Sequence, residues 1–130
     1  MIGIVIVAHG GLAKEYLAAM QHVVGEQPGL RSVSIAPEDD RDAKQLEICA
    51  AADEVDTGDG VVVVTDLYGG SPSNLSLRAC RPVNRRILYG ANLPMLIKLA
   101  KTRDLPVADA VRGAMEAGKK YINAKNISAE

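Results

Sequence analysis

Residues 2–7 read IGIVIV and residues 61–65 read VVVVT, and these two runs decide the fold. Both are apolar on both faces of an extended chain, which is typical of central strands in a parallel sheet that helices cover on each side. The runs SVSI at 32–35 and RILYG at 86–90 predict two more strands of similar composition. The sequence therefore favours a sheet of parallel strands with an aliphatic core.

Helical patterns separate the predicted strands. Apolar residues recur at three- and four-residue steps over 12–24, and Gly25 follows as a helix stop. Further helices are predicted over 40–54, from Ser71, from Pro94 and from Pro106. We expect Ser71 to be an N-cap, with Pro72 at the first helical position. The order βαβαβαβαα predicts an α/β three-layer sandwich, in which helices cover both faces of a mainly parallel sheet.

Composition limits the function. A chain of 130 residues with 48% apolar residues fits a single domain, residues 1–130. Its net charge is −1 and no basic stretch is interleaved with aromatic residues, which argues against a nucleic-acid partner. The first apolar run is too short to cross a bilayer and has no basic segment before it. We therefore expect a cytoplasmic protein that is not inserted in a membrane.

Metal and nucleotide chemistry find no support in the sequence. Cys49 and Cys80 are isolated and lie in helical patterns, so we expect reduced, packed thiols. His9 and His22 are too far apart for the H-x-x-x-H spacing of a catalytic zinc site, and His22 is given no role. Neither a P-loop nor a G-x-G-x-x-G motif after the first strand is present. We expect neither a metal nor a cofactor.

Two side chains stand at the ends of the predicted central strands. His9 ends the first strand and Asp66 ends the third. In an open α/β sheet, ligands bind outside the carboxyl ends of the strands, so these side chains can meet there if the strands are neighbours. A carboxylate that accepts from Nδ1–H would leave Nε2 of the imidazole unprotonated and nucleophilic. This pair predicts an active site with a single histidine.

Glycine-rich turns surround these two positions. Glycine lets the backbone approach a ligand closely, and helix starts after such turns favour phosphate. A serine hydrolase is not favoured, because GGSPS lacks the last glycine of G-x-S-x-G and Pro72 has no N–H for an oxyanion hole. The predicted phosphate-binding residues are Gly10, Gly11, Gly69, Gly70 and Ser71, with Asn92 in a supporting position.

Three motifs together resemble one known family. They are IVIVAHG at 4–10, TDLYGGSPSN at 65–74 and ANLPML at 91–96. In this order and spacing they are similar to the IIA component of the mannose-type phosphotransferase system. The resemblance covers nearly the whole chain, and the motifs are highly specific in combination.

The resemblance implies a phosphoryl carrier. His9 would accept a phosphoryl group on Nε2 from the phosphocarrier protein HPr and pass it to a IIB partner. Asp66 would orient the imidazole, and Ser71 with nearby backbone amides would hold the phosphoryl oxygens. The resemblance also implies strand order 2-1-3-4 and a homodimer that exchanges a fifth, antiparallel edge strand, for which residues 119–124 are the candidate.

Two departures from the family pattern leave alternatives open. Many relatives have Ser or Thr before the histidine, where this chain has Ala8, so a hydroxyl contact is lost. The sequence also ends without a linker and a IIB domain, so we expect the acceptor to be a separate protein. The alternative function is a regulatory module whose phosphorylation on His9 gates a partner without sugar transport. The phosphotransfer subunit of dihydroxyacetone kinase is less favoured, because GGSP and NLPM fit the mannose type better.

Overall fold

The computed structural model describes residues 1–129, which fold in the predicted alternating order. The strands are β1 (Gly3–His9), β2 (Leu30–Ile35), β3 (Val61–Thr65) and β4 (Arg85–Leu88). The helices are α1 (Leu12–Val24), α2 (Arg41–Val55), α3 (Ser71–Ser76), α4 (Leu93–Lys101) and α5 (Val107–Lys120). Single turns of 3₁₀ helix lie at Arg78–Cys80 and Ile127–Ala129.

The strands form one parallel sheet in the order β2-β1-β3-β4, which confirms the predicted order 2-1-3-4. β1 and β3 are neighbours at its centre. Every residue of β3 is buried, and His9 is the one exposed residue of β1. Burial on both faces explains why neither sequence alternates between polar and apolar residues. Because the strands are parallel, their carboxyl ends share one edge of the sheet.

Helices cover both faces, as predicted for a three-layer sandwich. On β1, residues at even positions such as Ile6 pack with α1, α4 and α5, and residues at odd positions such as Val7 pack with α2 and α3. Cys49 and Cys80 are free thiols that pack, partly buried, against the second group. Burial raises the pKa of Cys80 to about 11, so this thiol is in its neutral, unreactive form near neutral pH.

The start of α3 differs from the prediction. Gly70 is the N-cap, Ser71 is the first helical residue and Pro72 lies within the first two. Gly70 has the extended backbone of a cap residue, with φ −84° and ψ 176°, so the helix begins one residue earlier than predicted and has no side-chain cap. α3 has only six residues before the chain tightens into the 3₁₀ turn. The positive charge at the start of α3, which the sequence predicts as part of a phosphate site, is correspondingly small.

The predicted strand at 119–124 does not form within the described chain. Lys119 and Lys120 complete the last turn of α5, and no strand follows them up to residue 129. The helix extends this far because its packed face reaches Gly118, which lies against Met95 of α4. Strand exchange involves a second subunit, so the exchanged strand and the homodimer stay predictions. Each helix of the described chain is too short or too polar to cross a lipid bilayer.

Candidate active site

β1 and β3 bring the two predicted catalytic side chains to the same edge of the sheet. His9 is the last residue of β1, and Asp66 directly follows β3. The register pairs Val7 with Thr65, so the chain leaves the two strands at almost the same height. The imidazole and the carboxyl group therefore lie side by side, at the edge where open α/β sheets bind ligands.

The Asp66 carboxylate contacts His9 at two points. Its Oδ2 lies 2.8 Å from the ring Nδ1 and accepts the backbone N–H of the same histidine at 3.0 Å. Its Oδ1 accepts the backbone N–H of Leu67 at 3.1 Å. These contacts fix the carboxylate, and the carboxylate in turn fixes the plane of the imidazole.

Burial differs sharply between the two partners. The Asp66 side chain is 8% exposed, whereas the His9 side chain is 48% exposed. Burial acts to raise the pKa of Asp66, but the hydrogen bonds from the His9 ring and backbone N–H outweigh it, and this pKa lies below its usual value. An ionised carboxylate only accepts hydrogen bonds, so Nδ1 carries the proton and the lone pair lies on Nε2. In this tautomer Nε2 is the unprotonated nitrogen of the ring.

Gly70 leaves room for the ring on the side of Nε2. A methyl group at this position would lie 3.2 Å from Cε1 and 3.7 Å from Nε2 of His9, and 3.0 Å from Cδ1 of Leu67. Two carbon atoms pack best at about 3.5–4.0 Å, so an added methyl group would press against the ring. The backbone of Gly70 is one that any residue can adopt. Limited space beside the ring, and not backbone conformation, therefore favours glycine at position 70.

His9 opens onto a cleft of about 570 Å³. The cleft is lined by His9, Gly10, Ile35, Ala36, Pro37, Asp39, Arg41, Ser71 and Leu75. The Arg41 guanidinium donates to the Ser71 hydroxyl, with Nη1 and Oγ 3.5 Å apart. The Asp39 carboxylate is turned to its own loop, because it accepts the backbone N–H of Ala36 at 2.7 Å. A cation and a hydroxyl group thus line the same cleft as the imidazole.

The predicted phosphate-binding residues fall into two groups. Gly10 and Ser71 line the cleft, and Gly70 lies against the ring. Within the described chain, the backbone N–H groups of Gly70 and Ser71 have no acceptor, so an anion can take them. The Gly69 N–H is already bound to a serine hydroxyl at 3.1 Å, and Gly11 is the N-cap of α1 and lies outside the cleft lining. Three of the five thus lie in the cleft lining or against the ring.

Comparison with known proteins identifies the family. The family EIIA-man, described as PTS system fructose IIA component, matches residues 3–116. The chain belongs to this family. As a IIA component it is a protein of the phosphotransferase system, as the three motifs predicted.

Relatives of this IIA component agree in sequence and in fold. The chain is 29% identical over 126 residues to the PTS system mannose-specific EIIAB component of Escherichia coli (strain K12); the match covers 95% of this chain and 39% of that relative. The PTS system sorbose-specific EIIA component of Lacticaseibacillus casei is 24% identical over 91% of this chain and 86% of its own length. The mannose/sorbose specific IIA subunit of Enterococcus faecalis superimposes with TM-score 0.85 at 27% identity, covering 97% of this chain and 96% of that one.

The structure gives Asn92 a role different from the predicted support of the phosphate site. Its Oδ1 accepts the backbone N–H of Met95 at 3.0 Å and caps α4, and its Nδ2 donates to the carbonyl of Gly118 in α5 at 2.9 Å. Both ends of the amide are used, and Asn92 does not line the cleft beside His9. Asn92 lies at the carboxyl edge of the sheet, as predicted, but its side chain caps α4 and does not support the phosphate site.

Arg41 is the cleft residue that sequence reasoning missed. It is the first residue of α2 and lies 30 positions from Ser71, whose hydroxyl it contacts. In the sequence it stands in PEDDR, which reads as an ordinary turn before a helix. No motif or spacing connects it with His9, and the only available signal was the positive side chain at a helix start.

Proposed function

We propose that this IIA component is a phosphoryl carrier of a phosphoenolpyruvate-dependent phosphotransferase system, which accepts a phosphoryl group from HPr on His9 and passes it to a IIB partner. The observation that carries the proposal is an exposed imidazole whose Nδ1 is 2.8 Å from a buried carboxylate, in a chain of the IIA family. Such a ring keeps a nucleophilic nitrogen where another protein can reach it.

The reaction exchanges one N–P bond for another. The lone pair on Nε2 of His9 attacks the phosphorus of the donor's phosphohistidine. A new N–P bond forms as the donor's bond breaks, and the electron pair of the broken bond stays on the donor's nitrogen. Because the transition state is loose, correct positioning and stabilisation of the charge on the equatorial oxygens supply most of the catalysis. Onward transfer repeats the step with His9 as the donor.

Asp66 stabilises the ring that carries the phosphoryl group. When Nε2 forms the N–P bond, positive charge develops on the imidazole and is shared with Nδ1–H. The carboxylate lies 2.8 Å from that nitrogen and is largely removed from water, so its attraction for the charge is strong. The same contact holds Nε2 in line with the incoming phosphorus.

The phosphoryl oxygens have donors close to Nε2. The Ser71 hydroxyl lines the cleft, and the backbone N–H groups of Gly70 and Ser71 are free within the described residues. Gly10, at φ +56°, turns the chain away from β1 and leaves this wall without a side chain. These groups would take over hydrogen bonds that water makes to the phosphoryl group before transfer.

Both partner proteins must cover the same surface. Leu67 and Tyr68 follow Asp66 directly and are 48% and 79% exposed. Tyr68 packs edge-on against Tyr89, with ring centroids 5.0 Å apart. A protein that delivers phosphorus to Nε2 would bury this rim, so HPr and IIB bind in turn and not together.

Phosphorylation with purified components tests the proposal. Incubation with labelled phosphoenolpyruvate, enzyme I and HPr should add one acid-labile phosphoryl group per chain. His9→Ala should abolish the label, whereas His22→Ala should keep it, because His22 is an exposed residue of α1 outside the cleft. Label that persists in His9→Ala would refute the assignment.

The onward step is tested with the labelled protein. Mixing it with IIB proteins of mannose-type systems should move the label to IIB within seconds to minutes. The label could instead stay on His9 with every IIB, while another protein binds only the phosphorylated form. That result would refute the carrier function and support the regulatory module.

A further inference from the structure

We propose that Arg41 binds the oxygens of the phosphoryl group on His9, an inference that rests on the carrier function proposed above. Arg41 and His9 line the same cleft. Between them stands Ser71, whose hydroxyl is 3.5 Å from Nη1 of Arg41 and whose neighbour Gly70 lies directly against the Nε2 side of the imidazole. A phosphoryl group on Nε2 would extend its oxygens toward this pair of donors.

The guanidinium is nearly unused in this structure. Within residues 1–129, Arg41 forms no ion pair, and the Ser71 hydroxyl is its one hydrogen-bond partner. Three of the other arginines contact carboxylates: Arg31 meets Glu54, Arg85 meets Asp53 and Asp56, and Arg112 meets Asp109. A guanidinium has five N–H donors in a flat fork that matches a phosphate group. Arg41 therefore has donors to give to a doubly charged ligand.

Fold stability does not explain a cation at this position. Arg41 is the first residue of the fifteen-residue helix α2, and the positive end of a helix dipole disfavours a positive side chain. The N-cap is the neighbouring Asp40, whose carboxylate accepts from Ala43, so the cap does not need Arg41 either. Residues that break a local rule without a structural gain are expected at functional sites.

Arg41 is the positively charged side chain in the lining of the cleft, and the nearby carboxylates already have partners. Asp39 is the acidic side chain in the lining, and it is engaged by the backbone N–H of Ala36 at 2.7 Å and by Lys44 at 3.9 Å. The Asp66 carboxylate is committed to His9 and Leu67. An incoming phosphoryl group therefore meets a guanidinium without an ion-pair partner among the described residues, whereas both carboxylates already accept hydrogen bonds.

Arg41 also contacts the Ser71 hydroxyl, with Nη1 and Oγ 3.5 Å apart. A hydroxyl oxygen that accepts from a guanidinium keeps its own O–H available, so Ser71 can donate to a phosphoryl oxygen. Arginine and serine would then bind two oxygens of the group from the same side of the cleft. This arrangement stabilises the charge on those oxygens as the N–P bond forms.

Single-turnover kinetics test this assignment. Arg41→Gln and Arg41→Lys are phosphorylated with increasing concentrations of phospho-HPr, beside the unsubstituted protein. The control is Arg112→Gln, which removes the same charge from an exposed arginine on α5, on the opposite face of the sheet. Circular dichroism and thermal unfolding confirm that all variants fold.

A phosphoryl-binding residue changes the limiting rate more than the half-saturating donor concentration. Arg41→Gln should lower the limiting rate about tenfold to a hundredfold, as expected when a donor to transition-state charge is lost. The limiting rate of Arg41→Lys should lie between those of Arg41→Gln and the unsubstituted protein. The limiting rate of Arg112→Gln should stay within about twofold of the unsubstituted protein. A limiting rate of Arg41→Gln equal to that of the control would overturn the assignment, as would a change confined to the half-saturating concentration, which indicates donor docking. Those outcomes leave His9 labelling intact; an unlabelled unsubstituted protein would instead remove the carrier function and this inference with it.

Discussion

Asp66→Asn isolates the charge of the carboxylate from its shape. Asp66 accepts two hydrogen bonds from His9 on Oδ2 and one from Leu67 on Oδ1. An amide oxygen in place of Oδ2 keeps both bonds to His9, so the tautomer is preserved. The bond to the ring loses its charge assistance and falls from about 1.5–3 to about 0.5–1.5 kcal/mol. This charge assistance acts on the ring chiefly when it becomes cationic in the transition state, so a loss of about 1–1.5 kcal/mol there corresponds to a roughly tenfold slower transfer.

The stability of the variant should also fall. The amide NH₂ then faces the backbone N–H of Leu67, and two buried donors without an acceptor cost about 1–3 kcal/mol. Urea denaturation measures this loss, and it must be small enough for the variant to remain folded in the kinetic assay.

Single-turnover phosphorylation with saturating phospho-HPr gives the rate. The control is Asp109→Asn, which removes the same charge from an exposed carboxylate on α5. We expect Asp66→Asn to be about tenfold slower than the unsubstituted protein and the control to be unchanged. If Asp66→Asn is as fast as Asp109→Asn, the carboxylate does not stabilise the charged ring and the reasoning fails.

Three more substitutions or conditions give separate tests. Gly70→Ala should slow phosphorylation, because the methyl group presses on the ring, whereas Gly113→Ala in α5 should leave the rate unchanged; equal rates would contradict the packing argument. Thr65→Val should raise the free energy of unfolding by about 1 kcal/mol in urea denaturation, because Oγ1 is buried without a partner among the described residues; a loss of stability would show that this hydroxyl is satisfied. The Gly58 N–H hydrogen bond and Arg85 hold the pKa of Asp56 below its usual value against burial, and the pKa of Asp66 is lowered as well. Stability from both carboxylates is present above their unfolded pKa of about 3.9 and is lost as the pH falls through the folded pKa, so acid titration of unfolding should show a decline below about pH 5 that Asp56→Asn reduces.

The fold could be predicted because β1 and β3 carry an unambiguous signal. A run such as VVVVT can be buried on both faces only at the centre of a covered sheet, and the helical patterns between the runs require parallel crossovers. The same reasoning predicts His9 and Asp66 as site residues, because both stand at strand ends. That β1 and β3 are neighbours followed from the family resemblance, and the observed strand order confirms it.

The structure differs from the predictions at residues whose side chains suit two local roles, and at residues whose contacts depend on the tertiary fold alone. Asn92 and Ser71 each have a side chain that suits either a helix cap or a ligand site. In the structure Asn92 caps α4, whereas Gly70, and not Ser71, is the N-cap of α3. Residues 119–124 contain strand-forming side chains, but contacts of the preceding helix extend α5 through Lys120. Arg41 reaches the cleft from the start of α2, 30 positions before Ser71, and no periodicity of the sequence can show this contact.

Nitrogen-15 NMR of the phosphorylated protein tests the central claim most directly. With ¹⁵N-labelled histidine, the chain has only two imidazoles, His9 and His22, so His22 serves as an internal reference. We predict coupling to phosphorus at Nε2 of His9, a protonated Nδ1 on the same ring, and an unchanged His22. Phosphorus on Nδ1 of His9, or on His22, would contradict a mechanism in which Asp66 holds Nδ1–H and leaves Nε2 to react.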